Sequence, residues 1–516
     1  MRWRALAVAV SGLAVVGLAS CDFGFGGALD EFCTHPGRCA ATDASGLQVE
    51  ISQGSSREVT ITGIHLAGAD VKLDPPDIGT VAVLDAGSDE VTARLTIRHG
   101  VDAGMTFKLR LEWVREVDHE YSDPFVVTPI VVADGGNDDA GEGTYVRPFK
   151  TLARASQQSA AGDIIHLRPG RYDPIFPELT TPCDDAGVGL KPGVTVEGEG
   201  ALTTFIDGLA TRTGTCGFNL YSGDQVVQRL SITGFPEGIR ASGAGRPRVI
   251  DVSIYDGGIG VAATPGSSLL LQRVSVQGAG RGLVLDGADV MIQEGEVIGS
   301  YRVGVSMIGN GGTLAIDGTK IERNGGNSSL DPLDHIGLLV AADAGFAFVD
   351  GGSFVDNGSS VTTSTGITVA GSSNTVAVDK SFLRSGLPGG IGLAVQLNSN
   401  ASVYLADTRF VDSTWGIKVE NFLVFNGGKA DAGWADAGGG RSVRIGGNDL
   451  QDRALGFPTG GNIWDARTGG AGRPVMTLAR TKLDGGWPPP PFTVSDSFPD
   501  YGIRVDFSPG GSVSFE

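Results

Sequence analysis

A glycine followed by an aliphatic residue returns eight times along the middle of the chain. The pairs are Gly238-Ile239, Gly260-Val261, Gly282-Leu283, Gly304-Val305, Gly337-Leu338, Gly366-Ile367, Gly392-Leu393 and Gly416-Ile417. Successive pairs are 22, 22, 22, 33, 29, 26 and 24 residues apart. A second apolar position recurs between them, at Ile232, Ile254, Val276, Val297, Ile321, Phe354, Phe382 and Phe410. Two columns at a period in the twenties predict stacked coils, because each coil must lay the same side chains over those of the coil below. Propeller blades need about 40 residues or more. The chain is therefore expected to be all-β, built as a parallel β-helix (solenoid).

The two columns divide each coil into arcs of different behaviour. From pair to next anchor the arc stays at 14–17 residues, whereas from anchor to pair it is 7 or 8 except in three successive coils, where it is 17, 13 and 11. Same-turn insertions stack on one side of a solenoid, and that side often binds ligand. The long turns, 323–336, 356–365 and 384–390, offer Asp331, Asp334, His335, Asp356 and Arg384 as ligand-binding groups, with Arg323 as a further cation and Trp415 near the edge as a surface for a sugar ring. Solvated turns account for the same residues without any ligand. Beyond Glu420 the register decays, and 502–516 reads as final strands or a cap.

Ahead of the repeats, the block Asp134-Gly135-Gly136-Asn137-Asp138-Asp139, Gly143-Thr144, Pro148-Phe149-Lys150-Thr151-Leu152, Gly162-Asp163-Ile164-Ile165-His166-Leu167 and Pro169-Gly170-Arg171-Tyr172 resembles the first segment of secreted bacterial right-handed parallel β-helix proteins of the pectate-lyase-like superfamily, including a domain of unknown function. The resemblance implies a right-handed β-helix over 131–516. A cap helix near 148–160 is expected, with Pro148 at a first-turn position that needs no N–H donor. Enzymes of that superfamily abstract a proton beside a carboxylate with Arg or Lys as base and Ca²⁺ held by Asp. The resemblance thus implies Ca²⁺ as the ion to look for; no motif in the chain itself requires a cofactor. The Gly-His-Gly and Arg-Ile-Lys segments of related glycosidases do not occur. The catalytic residues stay unassigned, and His166 reads as a capping or hydrogen-bonded residue.

Short alternating bursts at 47–51, 59–64, 81–84, 91–97 and 107–114 predict a small immunoglobulin-like β-sandwich over 46–130. Within it, Val59-Thr60-Ile61-Thr62-Gly63 resembles the first strands of IPT/TIG domains, which implies a spacer without chemistry.

The N-terminus carries Arg2 and Arg4 before an apolar run, 5–17, that is too short for a stable membrane anchor and right for a secretory signal. Its end, Leu18-Ala19-Ser20-Cys21, resembles the lipobox of bacterial lipoproteins, which implies a signal peptide at 1–20, lipidation of Cys21, a linker over 21–45, and anchoring of the protein to a membrane of the cell envelope, at the outer membrane or cell surface. In that oxidising location Cys33, Cys39, Cys183 and Cys216 allow three disulfide pairings, of which Cys33–Cys39 with Cys183–Cys216 is expected. Their spacing fits no zinc site. The formal charge of −20, or −22 without Arg2 and Arg4, excludes nucleic acid as a partner. A polysaccharide is the expected partner besides the membrane, either bound by a structural or adhesive surface protein or, as the alternative, cleaved by a lyase or glycoside hydrolase acting on an acidic glycan.

Overall fold

The computed structural model describes residues 40–42, 50–62, 66–112, 120–121, 125–172, 190–208, 216–221, 224–326, 335–358, 364–370, 374–385, 390–395, 402–406, 408–411 and 415–419, and eight strands between 443 and 515. Residues 1–39, with the signal segment, Cys21, Cys33 and Cys39, lie outside them, as does Cys183. Among the described residues no helix is long and apolar enough to cross a membrane.

The protein is a parallel β-helix preceded by a β-sandwich. One sandwich sheet orders Ala40–Thr42, Ser56–Thr62, Glu90–Ile97 and Gly79–Ala86, all antiparallel. The other orders Glu50–Ser52, Phe125–Thr128, Thr106–Glu112 and Asp70–Asp74, with Glu120–Tyr121 beside Thr106–Glu112. Alternation sends Val59, Ile61, Val91 and Leu95 from one sheet, and Val71, Leu73, Leu109 and Leu111 from the other, into one buried cluster. Phe107 stacks on Phe125 there, ring centroids 5.1 Å apart. The strand Ala40–Thr42 falls in the stretch expected to be linker, because it pairs with the far half of Ser56–Thr62.

Most coils of the β-helix give one strand to each of three sheets. Among the described residues the first has fifteen strands from Ile130–Val132 onward, parallel except for Phe492–Val494, the second twelve parallel strands from Gly170–Tyr172, and the third eleven from Cys216–Leu220. Hydrogen-bonded strands repeat every ~4.8 Å, so inward side chains form continuous columns in one buried core. Ile232, Ile254, Val276, Val297, Ile321 and Phe354 stack in register in the second sheet. Leu383, not Phe382, continues that column before Phe410. A one-residue slip reverses the face, and Phe382 accordingly points outward and is only half-buried.

The glycine column is explained by close approach. A Cβ on Gly238, Gly260 or Gly366 would sit 2.7 Å from the carbonyl oxygen of the matching glycine one coil on. The Gly-aliphatic strands form the third sheet, and the three long turns all lie between the second and third sheets, on one side, as the arc lengths require. The coils do not stop at Glu420. Strands such as Val443–Gly446, Asp449–Gln451 and Gly461–Asp465 extend all three sheets; Val505–Phe507 ends the third, and Phe492–Val494, antiparallel to Val513–Phe515, ends the first.

The cap helix is shorter than expected, Leu152–Gln158. Thr151 is its N-cap and accepts from Arg154 N at 3.2 Å. Asp138 in turn accepts from Lys150 N, Thr151 N and Thr151 Oγ1. Pro148 lies ahead of the helix, because the chain there still pairs with the first strand through Phe149 N to Val131 O. Leu152 and Ala155 bury the apolar face against the first strands.

Sandwich and β-helix share a polar seam. Asp163, fully buried, takes hydrogen bonds from Gly100 N and Ala160 N and meets His99 Nδ1 at 2.5 Å. Gln53 joins both sides, accepting from Ile164 N and donating to Val101 O. Cys216, buried at the start of the third sheet, is disulfide-bonded.

Candidate functional site

Of the residues expected on the side bearing the long turns, the structure describes His335, Asp356 and Arg384, and the backbone of Trp415. Asp331 and Asp334 lie outside the described residues. His335 is fully buried, its Nδ1 2.7 Å from Gly325 O, so it does not face a ligand. Asp356 adopts φ +50°, and the equivalent position after each second-sheet strand is Gly234, Asp256, Gly278, Gly299 or Arg323, also left-handed. Its N–H bonds to Arg384 O, the same link that the other coils make. The bend of the coil thus accounts for Asp356. Arg384 is exposed at the end of Phe382–Arg384, and Trp415 opens the strand Trp415–Val419, in register with Ile391. Beneath the bend, the buried Asn324 and Asn357 form a ladder: Asn324 Nδ2 donates to Asn357 Oδ1 at 2.9 Å and to Val297 O, and Asn357 Nδ2 to Ile321 O. Outward positions of the third sheet are buried in these same coils, at Ile336, Leu339, Ile391 and Ala394. That face is covered rather than open.

The open face belongs to the first sheet. Its outward residues form a column, Arg248, Leu270, Met291, Ala315 and Phe348, paired strand to strand. A groove of about 640 Å³ crosses the strands Arg248–Ile250, Ser268–Gln272, Asp289–Gln293 and Thr313–Asp317. Leu270, Met291 and Ala315 make its floor, and Asp224, Arg246, Arg248 and Asp289 supply its charges. Among the described residues these four form no salt bridge with one another or with neighbours. Four coils give a run of about 14 Å along the solenoid axis. A neighbouring outward column reads His166, Glu197, Gln228, Ile250, Gln272, Gln293, Asp317, Asp350 and Asp379. Stacked like charges repel, and Lys380 offsets two of them at 3.5 Å from Asp350 and 3.2 Å from Asp379.

At the start of this face lies a cluster of acid–base groups. The buried His166 has Glu197 3.2 Å from Nδ1 and Glu199 3.4 Å from Nε2. Arg229 and Gln228 also bind Glu197, at 2.7 and 3.0 Å. The hydrogen bond from His166, aided by the Arg229 charge, holds the Glu197 carboxyl below the usual range. Tyr145 lies 5.7 Å from the His166 ring, under the Arg168 guanidinium, and burial raises its phenol. Such a cluster can hold or move a proton. Among the described residues no three His, Cys, Asp or Glu side chains converge as a metal ion would need.

Sequence reasoning passed over the groove and the His166 cluster. The available signal was Asp289-Val290-Met291-Ile292-Gln293, an alternating strand with an apolar residue at an outward position.

Residues 134–201 match the model of a family described as a protein of unknown function, DUF1565. No curated protein matches the chain. Among solved structures, the chain is similar to the alginate lyase from Paenibacillus sp. str. FPU-7, with 13% identity, a TM-score of 0.30, and 60% of this chain and 94% of that one covered. It is also similar to a mutant of the periplasmic alginate epimerase AlgG, with 11% identity, a TM-score of 0.27, and 69% and 76% covered.

Proposed function

We propose that the protein binds an extended polysaccharide along the outer face of the first sheet, as a lipid-anchored surface protein of the bacterial cell envelope. The observation that carries the reading is the groove over four coils. Neighbouring coils lie ~4.8 Å apart, so a ligand that runs along the axis over Leu270, Met291 and Ala315 crosses three successive coils. Ring faces pack on that apolar floor, and hydroxyls reach Arg246, Arg248, Asp224 and Asp289 on the rim. Glycan-array binding of the fragment from Asp22 onward tests it. Arrays should show binding that needs at least three units and falls tenfold or more in Arg248→Ala and in Met291→Asp. A silent array, or binding indifferent to both changes, overturns it. Anchoring rests on Arg2, Arg4, the apolar run and Cys21. Cys21→Ser should move the protein out of the membrane fraction, and continued sedimentation with membranes refutes the anchor.

A second reading is favoured by the His166 cluster alone: cleavage of an acidic glycan on the same face, with His166 or Tyr145 moving the proton and Arg168 facing the substrate carboxylate. It predicts new unsaturated or reducing ends from uronate-containing polysaccharides, lost in His166→Ala. Undiminished substrate with wild-type protein rejects it and leaves the binding reading standing.

A further inference from the structure

We propose that the cavity between the sandwich and the cap helix is a second, independent ligand site, for an uncharged hydroxyl-rich molecule the size of one sugar unit. Its volume is about 310 Å³. Glu50 and Arg57 reach it from the sandwich, Glu142 from the loop before the cap helix, and Arg154 and Gln158 from the helix itself.

Three observations bear on the ligand. The first is unsatisfied hydrogen bonding. Among the described residues seven buried side-chain polar atoms lack a hydrogen bond, and three belong to this one cavity's lining: Glu50 Oε2, Arg154 Nε, and Glu142 Oε2, which has only the ion pair with Arg57 at 3.4 Å. Buried polar groups are as a rule satisfied, so a concentration of exceptions marks a place where partners arrive from outside the chain. The second is charge. Of the lining charges, two carboxylates, Glu50 and Glu142, face two guanidiniums, Arg57 and Arg154; Arg57 lies 3.4 Å from Glu142, whose other oxygen takes Arg147, outside the lining, at 2.6 Å. A charged ligand would unbalance this set, and a cation would sit against Arg57 and Arg154. The third is donor–acceptor sense. A carboxylate oxygen only accepts and a guanidinium nitrogen only donates. A hydroxyl does both, so neighbouring hydroxyls on one ring can serve Glu50 and Arg154 together. The size is at the lower end of small-molecule sites, about 300 Å³, and would otherwise hold about ten waters.

The site is tied to both domains, since Ser52 Oγ donates to Glu142 O at 2.8 Å and Arg57 pairs with Glu142 Oε2 at 3.4 Å. Binding there should make sandwich and β-helix unfold together. The test uses the full chain with glucose, galactose and mannose as neutral probes and glucuronate as the charged one, by calorimetry and thermal unfolding. At least one neutral hexose should bind once per chain and raise the unfolding midpoint, with glucuronate at least tenfold weaker. Gln158→Trp places a plug from an exposed helix position and should abolish hexose binding while leaving the circular dichroism spectrum and polysaccharide binding at the groove unchanged. Arg154→Gln should weaken it tenfold or more; if that variant does not fold, the plug decides. The proposal fails if none of the three hexoses binds at tens of millimolar, which leaves a water-filled seam. It fails equally if binding survives the plug. Neither result touches the groove, whose own variant is Arg248→Ala.

Discussion

Gly260→Ala should cost about 2 kcal/mol, although it adds one methyl group to a protein that has 81 glycines. The new Cβ would lie 2.7 Å from Gly282 O, and closer still to Val276 Cγ1. Carbon contacts settle at about 3.5–4.0 Å. Neither neighbour can retreat, because Gly282 is held in the third sheet and Val276 is buried between Ile254 and Val297. Overpacking of this kind costs about 1–3 kcal/mol, and the stiffer unfolded chain returns about 0.4–1 kcal/mol. Gly135→Ala is the control, since nothing lies within 4 Å of its added Cβ. Val276→Ala alone should cost about 2 kcal/mol. In the double variant the side-chain clash disappears but the carbonyl clash remains, so its cost should fall short of the sum by at least about 0.5 kcal/mol. Urea unfolding followed by circular dichroism measures all four proteins. A Gly260→Ala protein as stable as Gly135→Ala, or strictly additive costs, would refute the close-approach account of the repeat.

Burial pushes the phenol of Tyr172 up to about 12, so its contribution is intact below about pH 10 and lost as pH rises toward 12. That window is worth at most about 3 kcal/mol, and an alkaline stability profile should lose the feature in Tyr172→Phe; an unchanged profile contradicts it. Glu197 has the opposite sign: its depressed carboxyl stabilises the fold above the ordinary glutamate value of about 4.3 and stops doing so as pH falls through its lower folded value. Glu197→Gln should flatten the acid limb of the stability curve, and a slope equal to wild type would dismiss the His166 contact as its cause. Non-reducing peptide mapping should recover Cys216 joined to Cys183, and its reduction should cost about 2–5 kcal/mol. A Cys216 peptide linked to Cys33 or Cys39 overturns that pairing.

The parts of the fold legible in the sequence were those where packing leaves one residue type. A glycine whose Cβ would strike the next coil's carbonyl must recur, so the third sheet announced itself. In the second sheet any apolar residue serves. Phe382 and Leu383 are adjacent and both apolar, and only the register with Phe354 shows that Leu383 is inside. The first sheet carries no such marker, and its inward column of Leu269, Val290, Leu314, Ala347 and Val376 varies in size and in spacing. Its outward face, where the groove lies, went unread for that reason. The start of the cap helix depends on Asp138, twelve residues before Lys150, a contact that local capping rules do not include.

The expected site was read from turn length. Turn length was visible in the sequence, and the strands that flank the three long turns belong to the second and third sheets. Length alone does not distinguish an open wall from a covered face, and burial of Ile336, Leu339, Ile391 and Ala394 places this side among the covered ones. The second sheet offers mostly three-residue strands, whose outward residues in successive coils include Ser231, Ser253 and Ser275, too small to build a floor. The first sheet has five-residue strands from Ser268 to Asp379, with outward positions at both ends and the centre of each. Width of that order lets one column be apolar while its flanks stay polar, which is what a ligand with apolar ring faces and hydroxylated edges requires. Strand length therefore supports the proposed face on the first sheet, where loop length suggested the side between the second and third.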